Sequence, residues 1–150
     1  MHILLVTTYF EPDSGAAAVR LSRLAKLLAR RGHKLTVLTS LPHYPHGQIA
    51  ARYRQAWAVE EQRSDMRIMR SWLWATPSPR ISRKLISQLS FMLTTTLNGL
   101  TLSCPDVILI EAQPIFTSLA GLILSRRLGA PYVLNVSDLW PDHLLSVGAL

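Results

Sequence analysis

The chain alternates between two hydrophobic periods. HILLVTT (residues 2–8), KLTVLT (34–39), DVILIE (106–111) and YVLNV (132–136) are short apolar runs, rich in β-branched residues and without helical spacing. Runs of this kind read as strands buried on both faces, and Met66 to Trp72 reads as a further strand. From Ala16 to Arg31 the period changes. Leu21, Leu24, Ala25 and Leu28 share one helical stripe, and Arg20, Arg23, Arg30 and Arg31 fall largely outside it. Gly32 stops this helix, and Gly129 stops another running from Ile115 to Leu128. A long helix is expected over residues 81–103, after Pro77-Ser78-Pro79. Ile49 to Val59 reads as a short helix in a long, otherwise irregular connection.

Strands that alternate with helices predict an α/β fold, a doubly wound Rossmann-like parallel sheet with helices on both faces. The 150 residues suffice for one such domain and its core without disulfide or metal support. The single cysteine, Cys104, has no partner within the chain, so a secreted disulfide framework is excluded and the cytoplasm is expected. The start of the chain meets Glu11 too early for a signal peptide. Residues 85–104 carry no charge, yet they hold too many Ser, Thr, Asn and Gln side chains for a membrane span. They predict a helix buried in protein or resting against a membrane surface.

Charge is distributed unevenly. Residues 1–104 contain fourteen basic and five acidic groups, whereas residues 105–150 contain two and four. The first part therefore has an excess of nine positive charges, which fits either a solvated helix face or a face that meets an anion. An anionic membrane surface and phosphorylated small molecules are both consistent with it. No DNA- or RNA-binding motif accompanies the charge, so no nucleic-acid partner is expected.

In doubly wound sheets ligands bind beyond the carboxyl ends of the strands, where strand order reverses. Loops 9–15, 40–47, 111–114 and 137–142 are thereby expected to line one crevice. The first has a single glycine, Gly15, ahead of a helix, which fits either a phosphate cradle or a plain helix entry. The dinucleotide G-x-G-x-x-G and the P-loop G-x-x-x-x-G-K-[ST] are absent. His43 and His46 fit turn residues better than metal ligands, because their loop is proline-rich. Asp138, just past a strand, fits a general base, a hydroxyl-orienting group or a helix cap. Glu111 and Gln113 point to the same cavity, and Trp140 fits either core or a sugar-stacking ring.

YFEPDSG (9–15), RLSRLAKLLARRGH (20–33), KLTVLTSLPHYPHG (34–47) and NVSDLWPDHLLSVGAL (135–150) together resemble the amino-terminal domain of GT-B glycosyltransferases. Within them the chain resembles the retaining family 4 enzymes of bacterial surface-polysaccharide assembly, the L-fucosamine and colanic-acid group. This resemblance implies transfer of a sugar from a nucleotide-diphosphate donor to a lipid-linked or saccharide acceptor, at the cytoplasmic face of the membrane. It implies donor-diphosphate contacts at Ser14, Gly15 and Ala16, and acceptor contacts at Asp13, Arg20, His43, Tyr44, Glu111, Gln113 and Trp140. Asp138 is implied as the catalytic carboxylate, with no metal or other cofactor. Ser137 stands where such enzymes often carry histidine or arginine, and Gly15-Ala16 where many carry two glycines. The carboxyl-terminal donor-binding domain of these enzymes has no counterpart in residues 1–150, which alone are expected to be silent. An alternative is a non-catalytic subunit that docks a separate donor-binding chain or a membrane; an exposed apolar patch over residues 81–104 or 143–150 would favour it.

Overall fold

A computed structural model of the chain describes residues 1–63 and 66–137. The elements run β1 (His2–Val6), α1 (Ala16–Arg30), β2 (Lys34–Ser40), a 3₁₀ turn (Ala51–Tyr53), β3 (Ala58–Arg63), β4 (Met66–Ser71), α2 (Ile81–Gly99), β5 (Val107–Glu111), α3 (Ile115–Leu128) and β6 (Tyr132–Asn135). They form a six-stranded sheet in the order β3-β4-β2-β1-β5-β6. Every pairing is parallel except that of β3 with β4. The doubly wound α/β architecture expected from the apolar periodicity is present.

Alternation along the central strands assigns side chains to two layers. Ile3 and Leu5 of β1 pack with Leu35, Val37 and Ile68 beneath Leu21, Ala25 and Ala29 of α1. Leu4 and Val6 face the other way, toward Leu38, Ile108, Ile110 and, from α3, Leu124. Leu4, Val6, Leu38 and Ile108 are all at most 1% exposed, each contributing roughly 1.5–3 kcal/mol of burial. α1 is rich in Ala, Leu and Arg, which favour helix, and it ends with Gly32 at φ +85° just past Arg31. Gly129, at φ +65°, ends α3 in the same way.

Two expectations need correction. Ile49 to Val59 is not a helix. It holds the 3₁₀ turn and the first residues of β3, an antiparallel edge strand, so the sheet is not wholly parallel. The sequence AVEEQR carries no apolar run; β3 joins the sheet by an antiparallel ladder to β4, with ion pairs across it. Glu60 takes two hydrogen bonds from Arg67, and Glu61 accepts from the fully buried Arg70. The uncharged helix is also neither wholly buried nor apolar inward. α2 buries Phe91, Thr94, Thr95 and Gly99, the last against Leu124 of α3, and leaves Leu85, Leu89, Leu93 and Leu97 in solvent.

Candidate functional site

The strand order reverses between β2-β1 on one side and β5-β6 on the other, so a crevice is expected beyond the carboxyl ends of β1 and β5. Two clusters of polar side chains occupy that end of the sheet. The first joins the loops after β1 and β2. Asp13 is 5% exposed, and its Oδ1 accepts hydrogen bonds from the backbone N–H groups of His43 (3.0 Å) and Tyr44 (2.9 Å). Its Oδ2 is buried and has no hydrogen-bond partner among the described residues. Tyr9 packs beside this carboxylate, its ring stacked on His43 at 5.5 Å and edge-on to Tyr44 at 5.7 Å.

Burial pushes the Asp13 carboxyl above the usual carboxylate range, against the opposing pull of His43 and of the two backbone amides. Burial likewise pushes His43 below the usual histidine value, although the charge of Asp13 works the other way. His43 Nδ1 lies 3.1 Å from the Leu41 carbonyl oxygen and 3.2 Å from Ser40 Oγ, so its ring is fixed from two sides. Gly15 lies directly under Tyr44: a Cβ there would come within 3.2 Å of the ring. Gly47, at φ +63°, closes the loop against residues 76–77, and a Cβ at this position would meet the Thr76 carbonyl oxygen at 2.5 Å. One tight backbone thus sets the position of His43 and Tyr44.

The second cluster lies at the ends of β5 and β6, where Glu111 and Asn135 are register partners. The Glu111 side chain is 1% exposed and fully engaged. Its Oε2 accepts from Arg20 Nη2 (3.0 Å) and Asn135 Nδ2 (2.7 Å), and its Oε1 accepts from the Ser137 hydroxyl. Arg20 Nη2 also donates to Ser137 Oγ at 2.7 Å. A half-exposed guanidinium is therefore held beside Ser137, the position at which a basic side chain is missing. Thr8 and Thr117 share a hydrogen bond of 2.8 Å that ties the first loop to the start of α3.

The structure thus brings Asp13, Gly15, His43 and Tyr44 together in one cluster and Arg20 and Glu111 in another. Ser14 and Ala16 flank Gly15 at the start of α1, where no side chain caps the helix and the first turn has no acidic residue. Gln113 lies between β5 and α3, in an irregular segment. Asp138, Trp140, Asp142 and His143 lie outside the described residues. Among the described residues, no three His, Cys, Asp or Glu side chains gather as a metal ion would require. Sequence reasoning missed Tyr9 and Asn135. Tyr9 was detectable as an aromatic residue immediately past a strand, and Asn135 as the polar end of β6 in register with Glu111.

Comparison with known proteins accords with this architecture. The chain is 25% identical, over 150 residues, to the putative colanic acid biosynthesis glycosyl transferase WcaI of Escherichia coli K12, covering 99% of this chain and 37% of that protein. Its fold superposes on sucrose-phosphate synthase of Thermosynechococcus elongatus with a TM-score of 0.63 at 14% identity, covering 96% of this chain and 35% of the other. The chain thus spans little more than a third of either protein. Residues 15–149 match the glycosyl transferase 4-like domain, and the chain belongs to that family, with a Rossmann-like fold of GT-B type.

Proposed function

We propose that this domain is the acceptor-binding half of a retaining, metal-independent glycosyltransferase. The donor is a nucleotide-diphosphate sugar and the acceptor a lipid-linked or saccharide hydroxyl, met at the inner face of the membrane. The observation that carries this reading is Asp13. Its Oδ1 is already satisfied by the loop after β2, while its buried Oδ2 has no donor among the described residues, beside the rings of Tyr9, His43 and Tyr44. A hydroxyl presented by a flat, partly apolar ring supplies the missing donor and the stacking surface at once, and a sugar offers both. The uncapped start of α1 at Ser14, Gly15 and Ala16 receives the donor diphosphate, where backbone N–H groups and the helix dipole stabilise the negative charge that develops as the diphosphate departs. Arg20, oriented by Glu111 and Ser137, adds a cation to the same end of the sheet.

The remaining donor contacts belong to a second Rossmann-like unit, so residues 1–150 by themselves transfer no sugar. A second reading, a non-catalytic subunit that docks another chain or a membrane, is favoured by the leucines that α2 leaves in solvent. The test is to incubate the full native chain with a panel of labelled nucleotide-diphosphate sugars and a polyprenyl-linked acceptor. Transfer from one donor, with the anomeric configuration kept, supports the enzyme; no transfer from any donor leaves the docking subunit.

A further inference from the structure

Three of the chain's four tryptophans meet at one edge of the sheet. Trp57 stands just before β3 and Trp72 just after β4, and the antiparallel ladder pairs Ala58 with Ser71 beside them. The Trp72 N–H donates to the Trp57 carbonyl at 2.9 Å, and the two rings stack at 5.0 Å, 12° from parallel. Rings of this size normally dominate a core. Here Leu73 is buried with Leu41, Tyr53 and Phe91, whereas its neighbour Trp74 is 38% exposed and Trp57 is 60% exposed. Helix α2 holds the main chain that carries the indoles: Ser90 Oγ accepts from the Trp74 N–H at 2.8 Å, and Thr94 Oγ1 donates to the Trp72 carbonyl.

Trp72 and Trp74 line a groove of about 550 Å³ together with Gln48, Ile49, Arg54 and Ala75. That volume lies within the range of small-molecule sites, about 300–1,000 Å³. Gln48 and Arg54 are exposed at its rim, and Arg54 forms no ion pair among the described residues. The groove is continuous with the Asp13 cluster. Gln48 and Ile49 directly follow Gly47, the residue that closes the loop of His43 and Tyr44, and Gly47 packs against Thr76 just beyond Ala75. One loop therefore borders both the half-satisfied carboxylate and the indoles.

We propose that this groove is a second saccharide subsite, which holds a pyranose of an oligosaccharide acceptor beyond the sugar whose hydroxyl meets Asp13. A pyranose has a C–H face that stacks on an indole and a rim of hydroxyls that needs donors and acceptors. Gln48 supplies both, and the Arg54 guanidinium supplies a fork of donors for neighbouring hydroxyls or for a uronate carboxylate. An apolar chain or helix face would match the indoles but leave Gln48 and Arg54 without partners. The inference rests on the proposed transferase and deepens it, because it makes the acceptor longer than one sugar.

The test measures binding of the full native chain to an array of lipid-free gluco- and galacto-configured mono-, di- and tetrasaccharides, neutral and uronate-bearing. Tetrasaccharides are expected to bind more tightly than monosaccharides. Trp74→Ala should weaken tetrasaccharide binding about tenfold and Arg54→Ala about fivefold, with monosaccharide binding unchanged in both. The two variants alter exposed side chains, and unchanged unfolding curves will show that the fold persists. Absence of binding to every oligosaccharide overturns the proposal, as does equal affinity for mono- and tetrasaccharides or full tetrasaccharide affinity in Trp74→Ala. A dimer in light scattering that Trp57→Ala dissociates also overturns it and assigns the indoles to a second copy. Sugar transfer is measured in parallel. Transfer that proceeds equally well to mono- and tetrasaccharide acceptors removes the subsite but leaves the transferase. Length-dependent binding that Trp74→Ala abolishes, without transfer from any donor, removes the transferase and leaves the groove as a saccharide-binding site.

Discussion

Two carboxylates are buried at the same end of the sheet, and they differ in what they still lack. Glu111 is saturated: Arg20, Asn135 and Ser137 together supply donors to both of its oxygens. Asp13 is half-satisfied: among the described residues it has two backbone donors on Oδ1 and none on Oδ2. An unmet buried acceptor costs about 1–3 kcal/mol, so a donor brought by a ligand would stabilise Asp13 where it would not stabilise Glu111. Under the proposed function, Glu111 is a positioning residue that aims Arg20, and Asp13 is the group offered to a ligand.

The largest expected effect falls on a third carboxylate, which serves as a reference for pure structure. Burial works against the Glu61 carboxylate, but hydrogen bonds from Arg70 and Tyr53 and the charges of Arg70 and Arg63 hold its pKa down to about 2. Arg70→Ala takes from this carboxylate its most buried partner, leaving Tyr53 and Arg63, and removes the hydrogen bond to the Glu11 carbonyl. It is expected to cost about 3–5 kcal/mol by denaturant unfolding. Because the pKa is depressed, the stability Glu61 contributes is present above the ordinary carboxylate pKa and lost as pH falls from about 4.5 toward 2. A cost below about 1 kcal/mol would show that burial alone does not make a carboxylate structural here.

Glu111→Ala is next. It deprives Arg20, Asn135 and Ser137 of their shared acceptor, but Arg20 is half-exposed and can turn to water, so a loss of about 1–3 kcal/mol is expected. Activity should fall further than stability, because the guanidinium loses its orientation. Equal activity in Glu111→Ala and the parent would break the distinction between the two carboxylates.

Removing charge at Asp13 should have the smallest effect on stability. Burial raises its folded pKa, so the folded state holds this proton more tightly than the unfolded chain does. Its contribution is therefore largest below the unfolded value near 3.8 and is lost as pH rises through the folded pKa. The opposite sign holds for His43: its folded pKa is lowered, so its contribution is present above about 6.5 and lost as pH falls. Unfolding curves of the parent and Asp13→Asn across pH 3–7 should converge at low pH, with the variant equal or more stable at neutrality. A variant less stable by more than about 1 kcal/mol at pH 7 would make Asp13 structural, like Glu61.

The legible parts of this molecule are those with a local cause. HILLV and VILIE are buried on both faces, so their hydrophobicity identifies them as central strands, and the stops at Gly32 and Gly129 follow from the left-handed backbone at each helix end. β3 was illegible because AVEEQR has no apolar run, and its pairing with β4, which sets Glu60 beside Arg67 and Glu61 beside Arg70, arises only once the two strands meet. Helical spacing gave α2 its length, but not its orientation. That depends on Trp72 and Ser71 offering polar partners to Thr94 and Asn98 while the leucines are left outside. At this end of the sheet, position after a strand pointed to Glu111, and the resemblance pointed to Asp13 and His43. The orphaned oxygen of Asp13 arises only when the loop after β2 folds over it, and no residue pattern announces that.

The most direct test of the account is kcat/KM for sugar transfer by the full native chain and its Asp13→Asn variant, with stability measured on the same samples. The asparagine keeps an oxygen for the amides of His43 and Tyr44 but cannot offer a second acceptor to a sugar hydroxyl. The account predicts a 10- to 100-fold loss of kcat/KM at unchanged stability, carried by the acceptor and not by the donor. Unchanged transfer by the variant would contradict it.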